Sequence, residues 1–146
     1  MFYKLLHFGL RVSKRGKNKI IRKFIMFLMR TFFSCNICLL AKIDKTVRFS
    51  HYGLGVVIHE KAIIGAHTQI EVNVVIGENK KDQVPVIGNH CHIGAGAVLI
   101  GGITIGDHVT VGANSVVTKS IPSYTVVAGV PARIIKYKKA SNENID

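Results

Sequence analysis

From Ile58 onward an apolar residue recurs at every sixth position. Ile58, Ile64, Ile70 and Ile76 keep one register, and Ile87, Ile93, Leu99, Ile105, Val111 and Val117 keep a second. Glycine often follows the apolar residue, as Gly65, Gly77, Gly88, Gly94, Gly106 and Gly112 do. Four positions after it comes a small or β-branched residue: Ala62, Thr68, Val74, Cys91, Ala97, Ile103, Val109, Ser115. A weaker copy runs earlier through Ile37, Ile43 and Phe49. A period of six matches neither the 3.6 of an α-helix nor the alternation of a hairpin sheet. It predicts an all-β fold, a parallel β-helix with one short strand and one bend per six residues. The apolar residue points into the prism, and each strand pairs with those above and below it.

The period fails twice. Phe49 and Ile58 are nine apart, so the stretch FSHYGLGVVIHE holds three extra residues, and His51 lies just inside them. Ile76 and Ile87 are eleven apart, and the excess falls in the polar GENKKDQVP, a loop expected to leave the coil at residues 78–85. After Val117, Pro122 and Pro131 are expected to stop strand pairing and set turns. Three segments result: 1–35, expected to be helical; 36–122, the repeats; and 123–146, a terminal turn and a tail expected to fray.

Charge sharpens the first segment. Residues 1–48 carry twelve Lys/Arg and one acid, whereas residues 49–146 carry eight and seven, so the net +12 belongs to the N-terminus. Ile21, Phe24, Ile25, Leu28 and Phe32 share a face at helical spacing, and this face is expected to pack on the rest of the protein. Contact with an anionic membrane through residues 1–35 is the alternative. The longest uncharged run, Thr31 to Ala41, is too short to span a bilayer, and no small-residue cleavage site follows it, so no signal peptide is read. No recognition-helix or stacking-aromatic pattern accompanies the basic residues, and no nucleic-acid partner is expected. Cys35 and Cys38 form a lone C-x-x-C without a second pair. With Cys91 they read as reduced, buried thiols of a cytoplasmic protein.

The stretch IGAGAVLIGGITIGDHVTVGANSVVTKSIPSYTVVAGVPARIIK resembles the C-terminal half of hexapeptide-repeat acetyltransferases. The similarity covers about residues 36–136 and is greatest to the serine acetyltransferase branch, including its short relatives in polysaccharide gene clusters. The resemblance implies a left-handed β-helix, a homotrimer, and acetyl-CoA bound between neighbouring subunits. It implies that Ala95 and Ala113, each the small residue after an apolar-glycine pair (Ile93-Gly94 and Val111-Gly112), line the pantetheine groove. Thr118 and Lys119 match the T-K pair after the last repeat, Arg133 is the basic residue after G-V-P-A, and Lys136 lies a turn further on. Small side chains would let backbone amides approach the pantetheine, and cations would suit the phosphates.

The catalytic motif of that branch carries over in part. The resemblance makes His51 the general base. The aspartate that supports this histidine in the family falls at Asn36, the one before it at Ser50, and a second pocket histidine at Val84. An acceptor hydroxyl needs a base as it attacks a thioester, and an imidazole serves at neutral pH. Asn36 could still orient the ring; Glu78 or Asp82 of the loop could supply the missing charge. His59, His67, His90, His92 and His108 do not reproduce the three-histidine zinc set of gamma carbonic anhydrases. His90 and His92 are expected to share one side of a strand and could make half a metal site; surface or interface histidines are the readier reading, and no metal is expected. The altered acceptor positions point to O-acetylation of a sugar or glycan precursor. Serine O-acetylation and a non-catalytic β-helix scaffold are the alternatives.

Overall fold

The computed structural model describes residues 2–14 and 19–139. Two helices open the chain, α1 (Phe2–Lys14) and α2 (Lys19–Phe33). Short strands follow in groups of three. The first coil holds β1 (Asn36–Ile37), β2 (Lys42–Ile43) and β3 (Arg48–Phe49). The second holds β4 (Val57–Ile58), β5 (Ile63–Ile64) and β6 (Gln69–Ile70), and the third β7 (Val75–Gly77), β8 (Val86–Ile87) and β9 (His92–Ile93). The fourth holds β10 (Val98–Ile100), β11 (Thr104–Ile105) and β12 (Thr110–Val111). β13 (Val116–Val117), β14 (Thr125–Gly129) and β15 (Ala132–Tyr137) complete the chain.

Each coil gives one strand to each of three parallel sheets. Sheet A runs β1-β4-β7-β10-β13, sheet B runs β2-β5-β8-β11, and sheet C runs β3-β6-β9-β12-β14, with β15 returning antiparallel on its edge. The six-residue period produces this because every sixth side chain enters the prism. Ile37, Ile58, Ile76, Leu99 and Val117 stack inside sheet A. Ile43, Ile64, Ile87, Ile105 and Ile121 line sheet B, and Phe49, Ile70, Ile93, Val111 and Val127 line sheet C; all are buried. Buried hydroxyls find partners: Thr68 donates to the Gly88 carbonyl (2.9 Å), and the Ser115 Oγ accepts the Gly129 N–H (3.2 Å).

Pro122 interrupts the pairing only locally. Ile121 bridges to Ile105, and β14 adds a further rung to sheet C, because the ladder N–H groups there come from residues 125–129, which are not proline. Pro131 does end a strand, in the turn between β14 and β15. The polar tail from residue 140 lies outside the described residues.

The helices close the N-terminal end of the prism. Phe2, Leu6 and Leu10 of α1 and Ile25 and Met29 of α2 join the core. Phe2 meets Phe33 and Phe49 edge-on, with ring centroids 5.2 and 5.9 Å away. The face expected to pack, Ile21/Phe24/Ile25/Leu28/Phe32, is corrected here. The ridge that meets the prism is Ile25/Met29, flanked by Met26 and Phe33, and Phe24 and Phe32 are exposed. α2 is apolar on more than one side, so helical spacing alone did not tell which side α1 and β1 would cover. The loop at 78–85 does leave the coil. It returns over Gly101 and Gly102, where Asn79 and Gln83 occupy the space that glycine side chains leave free.

Candidate active site

One corner of the prism, between sheets C and A, gathers most of the chemistry. Successive coils place Ser50, Glu71, Gly94, Gly112 and Ala128 there, each directly after the paired inward residues Phe49, Ile70, Ile93, Val111 and Val127. The next residues, His51, Val72, Ala95 and Ala113, continue the same corner. Its backbone ladder runs from the Asn73 N–H to the Leu54 carbonyl (2.9 Å), from Gly96 to Val72 (2.9 Å) and from Asn114 to Ala95 (2.8 Å). The rungs touch closely: a side chain on Gly94 would come within 2.7 Å of the Val111 carbonyl and the Ala113 nitrogen.

The three extra residues after Phe49 build a left-handed turn, Ser50–Gly53, at the N-terminal end of this corner. His51 (φ 46°, ψ 42°), Tyr52 (φ 57°, ψ 29°) and Gly53 (φ 74°) all have positive φ. Two successive non-glycine residues in this region cost about 1–3 kcal/mol each and persist only where packing holds them, a pattern that clusters at functional sites. Here α1 holds them. The Phe49 N–H donates to the Tyr3 hydroxyl (2.7 Å), which donates to the Phe49 carbonyl (2.9 Å), and the Phe2 ring lies under Tyr52 and Gly53. The His51 side chain is exposed.

A carboxylate stands on the rung above. Glu71 accepts from the Gln69 amide (2.7 Å), and that amide also reaches the Ser50 hydroxyl at 3.5 Å. Glu71 is held below the ordinary carboxylate range, first by the Ser50 hydroxyl, then by Gln69, and further by the His92 and His51 imidazoles, against the opposing effect of burial. Ser50, His51, Gln69, Glu71 and His92 thus form one polar cluster. Neither Gln69 nor Glu71 stands out in the sequence as a site residue. The signal that finds them is the inward register itself, which sets residue 70 over residue 49.

The other expected positions divide. Ala95 and Ala113 share the corner with His51, and Arg133 meets its far end by pairing with Ala128; the guanidinium donates to the Ala132 carbonyl (3.0 Å). Lys136 lies opposite Val126 on β15. Thr118 and Lys119 are exposed in the turn after β13. Asn36 sits below the exit of the His51 loop, where its N–H donates to the Val56 carbonyl (2.8 Å), and it faces a shallow cleft with Met26, His59 and Glu60. Among the described residues no hydrogen bond joins Asn36 to His51. Glu78 is engaged by His59 (3.6 Å) and Asp82 by Lys61, so within the chain neither loop acid serves His51. Val84 is half-buried at the end of that loop.

His90 and His92 do not share a side. His90 has φ 54° and turns the corner between sheets B and C, stacked between His67 (4.9 Å) and His108 (4.8 Å), whereas His92 faces outward on sheet C. Positive φ at residue 90 breaks the strand alternation on which the pairing of the two rested. Among the described residues no group of three or more His, Cys, Asp or Glu side chains is placed to hold a metal ion. Cys35 and Cys91 are buried and unpaired, and burial pushes the Cys35 thiol up to about 11.

Residues 85–119 match the family of bacterial transferase hexapeptide repeats (six repeats). The serine acetyltransferase of Staphylococcus epidermidis is 38% identical over 125 residues, covering 84% of this chain and 58% of that protein. A crystal structure of the Brucella abortus serine acetyltransferase in complex with coenzyme A superposes with a TM-score of 0.85 at 30% identity, over 92% of this chain and 54% of that one. The Neisseria gonorrhoeae serine acetyltransferase in complex with serine superposes with a TM-score of 0.83 at 30% identity, over 90% and 54%. The chain therefore spans about half the length of the relatives it matches. The expected fold is borne out, a left-handed β-helix of hexapeptide repeats with a short helical segment before it. By repeat, fold and sequence the chain is similar to the hexapeptide-repeat acetyltransferases, on their serine acetyltransferase-like branch, over about half the length of those proteins.

Proposed function

We propose that the chain transfers the acetyl group of acetyl-CoA to a hydroxyl, with L-serine as the acceptor and His51 as the general base. One observation carries the reading: the corner between sheets C and A is chemically polarised along its length. His51 and Glu71 stand at one end, small side chains at Ala95 and Ala113 leave backbone amides reachable in the middle, and Arg133 stands at the other end. Four rungs at about 4.8 Å separate the ends by about 19 Å, room for an extended thioester arm with its phosphates at the cationic end. Lys119 and Lys136 add cations beyond the corner, and Thr118 adds a hydroxyl.

In this reading His51 takes the acceptor proton as the hydroxyl oxygen bonds to the thioester carbonyl carbon. The tetrahedral oxyanion is met by backbone N–H groups. The carbon–sulfur bond then breaks, and the imidazolium returns the proton to the leaving thiolate. No covalent enzyme intermediate is needed. Glu71 offsets the imidazolium charge, and Asn36 borders the acceptor side from sheet A. A homotrimer would wall the corner with a neighbouring subunit.

The glycan acceptor expected from Asn36, Ser50 and Val84 finds no support among the relatives, which are serine acetyltransferases. That likeness is why serine is put first. Purified protein given acetyl-CoA with L-serine or with nucleotide sugars, followed by free-thiol release, tests the assignment. Serine should release thiol, and His51→Ala should lose about 10²–10⁴-fold in rate. Release with sugars alone would restore the glycan reading. Full activity of His51→Ala would remove His51 as the base, and absence of both turnover and CoA binding would leave a scaffold.

A further inference from the structure

α2 presents two apolar rows, and the prism uses only one. Ile25 and Met29, four apart, face the core. Ile20, Phe24 and Phe27, at i, i+4 and i+7, run along the opposite side and are 82%, 59% and 62% exposed. A soluble surface helix carries polar residues there. Beside this outward row lies a second one, Lys19, Lys23 and Arg30 at i, i+4 and i+11, all exposed. Two rows of opposite character side by side, aromatic and cationic, form the arrangement of a helix that lies in a lipid headgroup layer.

Charge decides which partner fits. No acidic residue precedes Asp44 in the sequence, so nothing in α1 or α2 neutralises the cations. In a twofold contact a second copy of the chain would bring the same basic row against its own image, whereas an anionic surface meets both rows at once: aromatic rings enter the interface and ammonium groups stay at the phosphates. No helix among the described residues is long and apolar enough to cross a membrane, which leaves a surface-lying mode. The His51 corner is held by Phe2 and Tyr3 of α1, not by the outward row of α2, so docking there would leave the corner untouched.

We propose that the outward face of α2, Ile20/Phe24/Phe27 with Lys19/Lys23/Arg30, docks the protein on an anionic phospholipid surface. The test is co-sedimentation of the full chain with phosphatidylcholine vesicles that do or do not contain about a third phosphatidylglycerol. Binding is expected to the mixed vesicles only, and to fall in high salt. Lys19→Ala with Lys23→Ala should weaken it about fivefold per cation removed. Phe24→Ser with Phe27→Ser should abolish it while the melting temperature holds, because neither ring is in the core. Equal binding to both vesicle types, or none, would overturn the proposal. So would a change in solution mass of the Phe24→Ser/Phe27→Ser protein by analytical ultracentrifugation, which would make the face a contact between copies. Thiol release from acetyl-CoA is independent of each outcome.

Discussion

A carboxylate acts on an imidazole whichever rung supplies it. The aspartate that the family resemblance implies for His51 falls at Asn36, yet the solenoid sets Glu71 over Ser50, beside His51. The Glu71 pKa lies below its ordinary 4.5 in the folded chain, so its charge stabilises the fold above that value, and the contribution is lost as pH falls through the lower folded value. Glu71→Gln should lower kcat, because the imidazolium formed in the reaction is less favoured, and Glu71→Asp should restore part of it. A merely structural Glu71 would change the melting temperature and leave kcat of the folded protein in place. At this scale His51 was legible because it sits where the period breaks. Glu71 was not, because twenty residues separate the two, and only the coil, counted with its insertion, makes them neighbours.

Between elements, the decisive contact is α1 against the His51 turn. Phe2 is 1% exposed and touches Tyr3, Phe33, Phe49 and Tyr52, so it couples the helical cap to the turn as well as to the prism. Phe2→Ala should cost about 3–5 kcal/mol in thermal or denaturant unfolding. It should also slow acetyl transfer beyond what the unfolded fraction explains, because the left-handed turn loses its support; a rate that simply tracks the folded fraction would show that the turn holds itself. The strands were legible almost residue by residue, since each inward position repeats the one six before it. The helix contacts were not. Helical periodicity marks apolar sides, and α2 has more than one, so the choice of Ile25/Met29 was made by the fit to α1 and β1. The continuation into β14 was hidden for a related reason: Pro122 blocks one N–H, not the three-residue return that brings Thr125 back onto sheet C.

For the molecule as a whole, the outward positions of the three sheets differ. Sheet C shows Arg48, Gln69, His92 and Thr110, and sheet B shows Lys42, Ile63, Val86 and Thr104. Sheet A shows Val57, Val75, Val98 and Val116 in one straight row above Asn36. A continuous apolar row on a rigid face is where a neighbouring subunit gains most by docking, and closed threefold symmetry covers the same row on every copy. The row borders the corner that holds His51, Ala95 and Ala113, so a neighbour on sheet A would wall the proposed acetyl-CoA groove. Val98→Glu, in the middle of the row, places a charge that such an interface would have to desolvate. The outward side chain leaves the stacked Leu99 beside it undisturbed, so circular dichroism and the melting of the isolated chain should keep the β-helix signature. For the proposed homotrimer, sedimentation should fall from three times 16.0 kDa to one, and acetyl transfer should fall with it. An assembly that survives Val98→Glu with its activity intact would move the interface to another face and detach the groove from it.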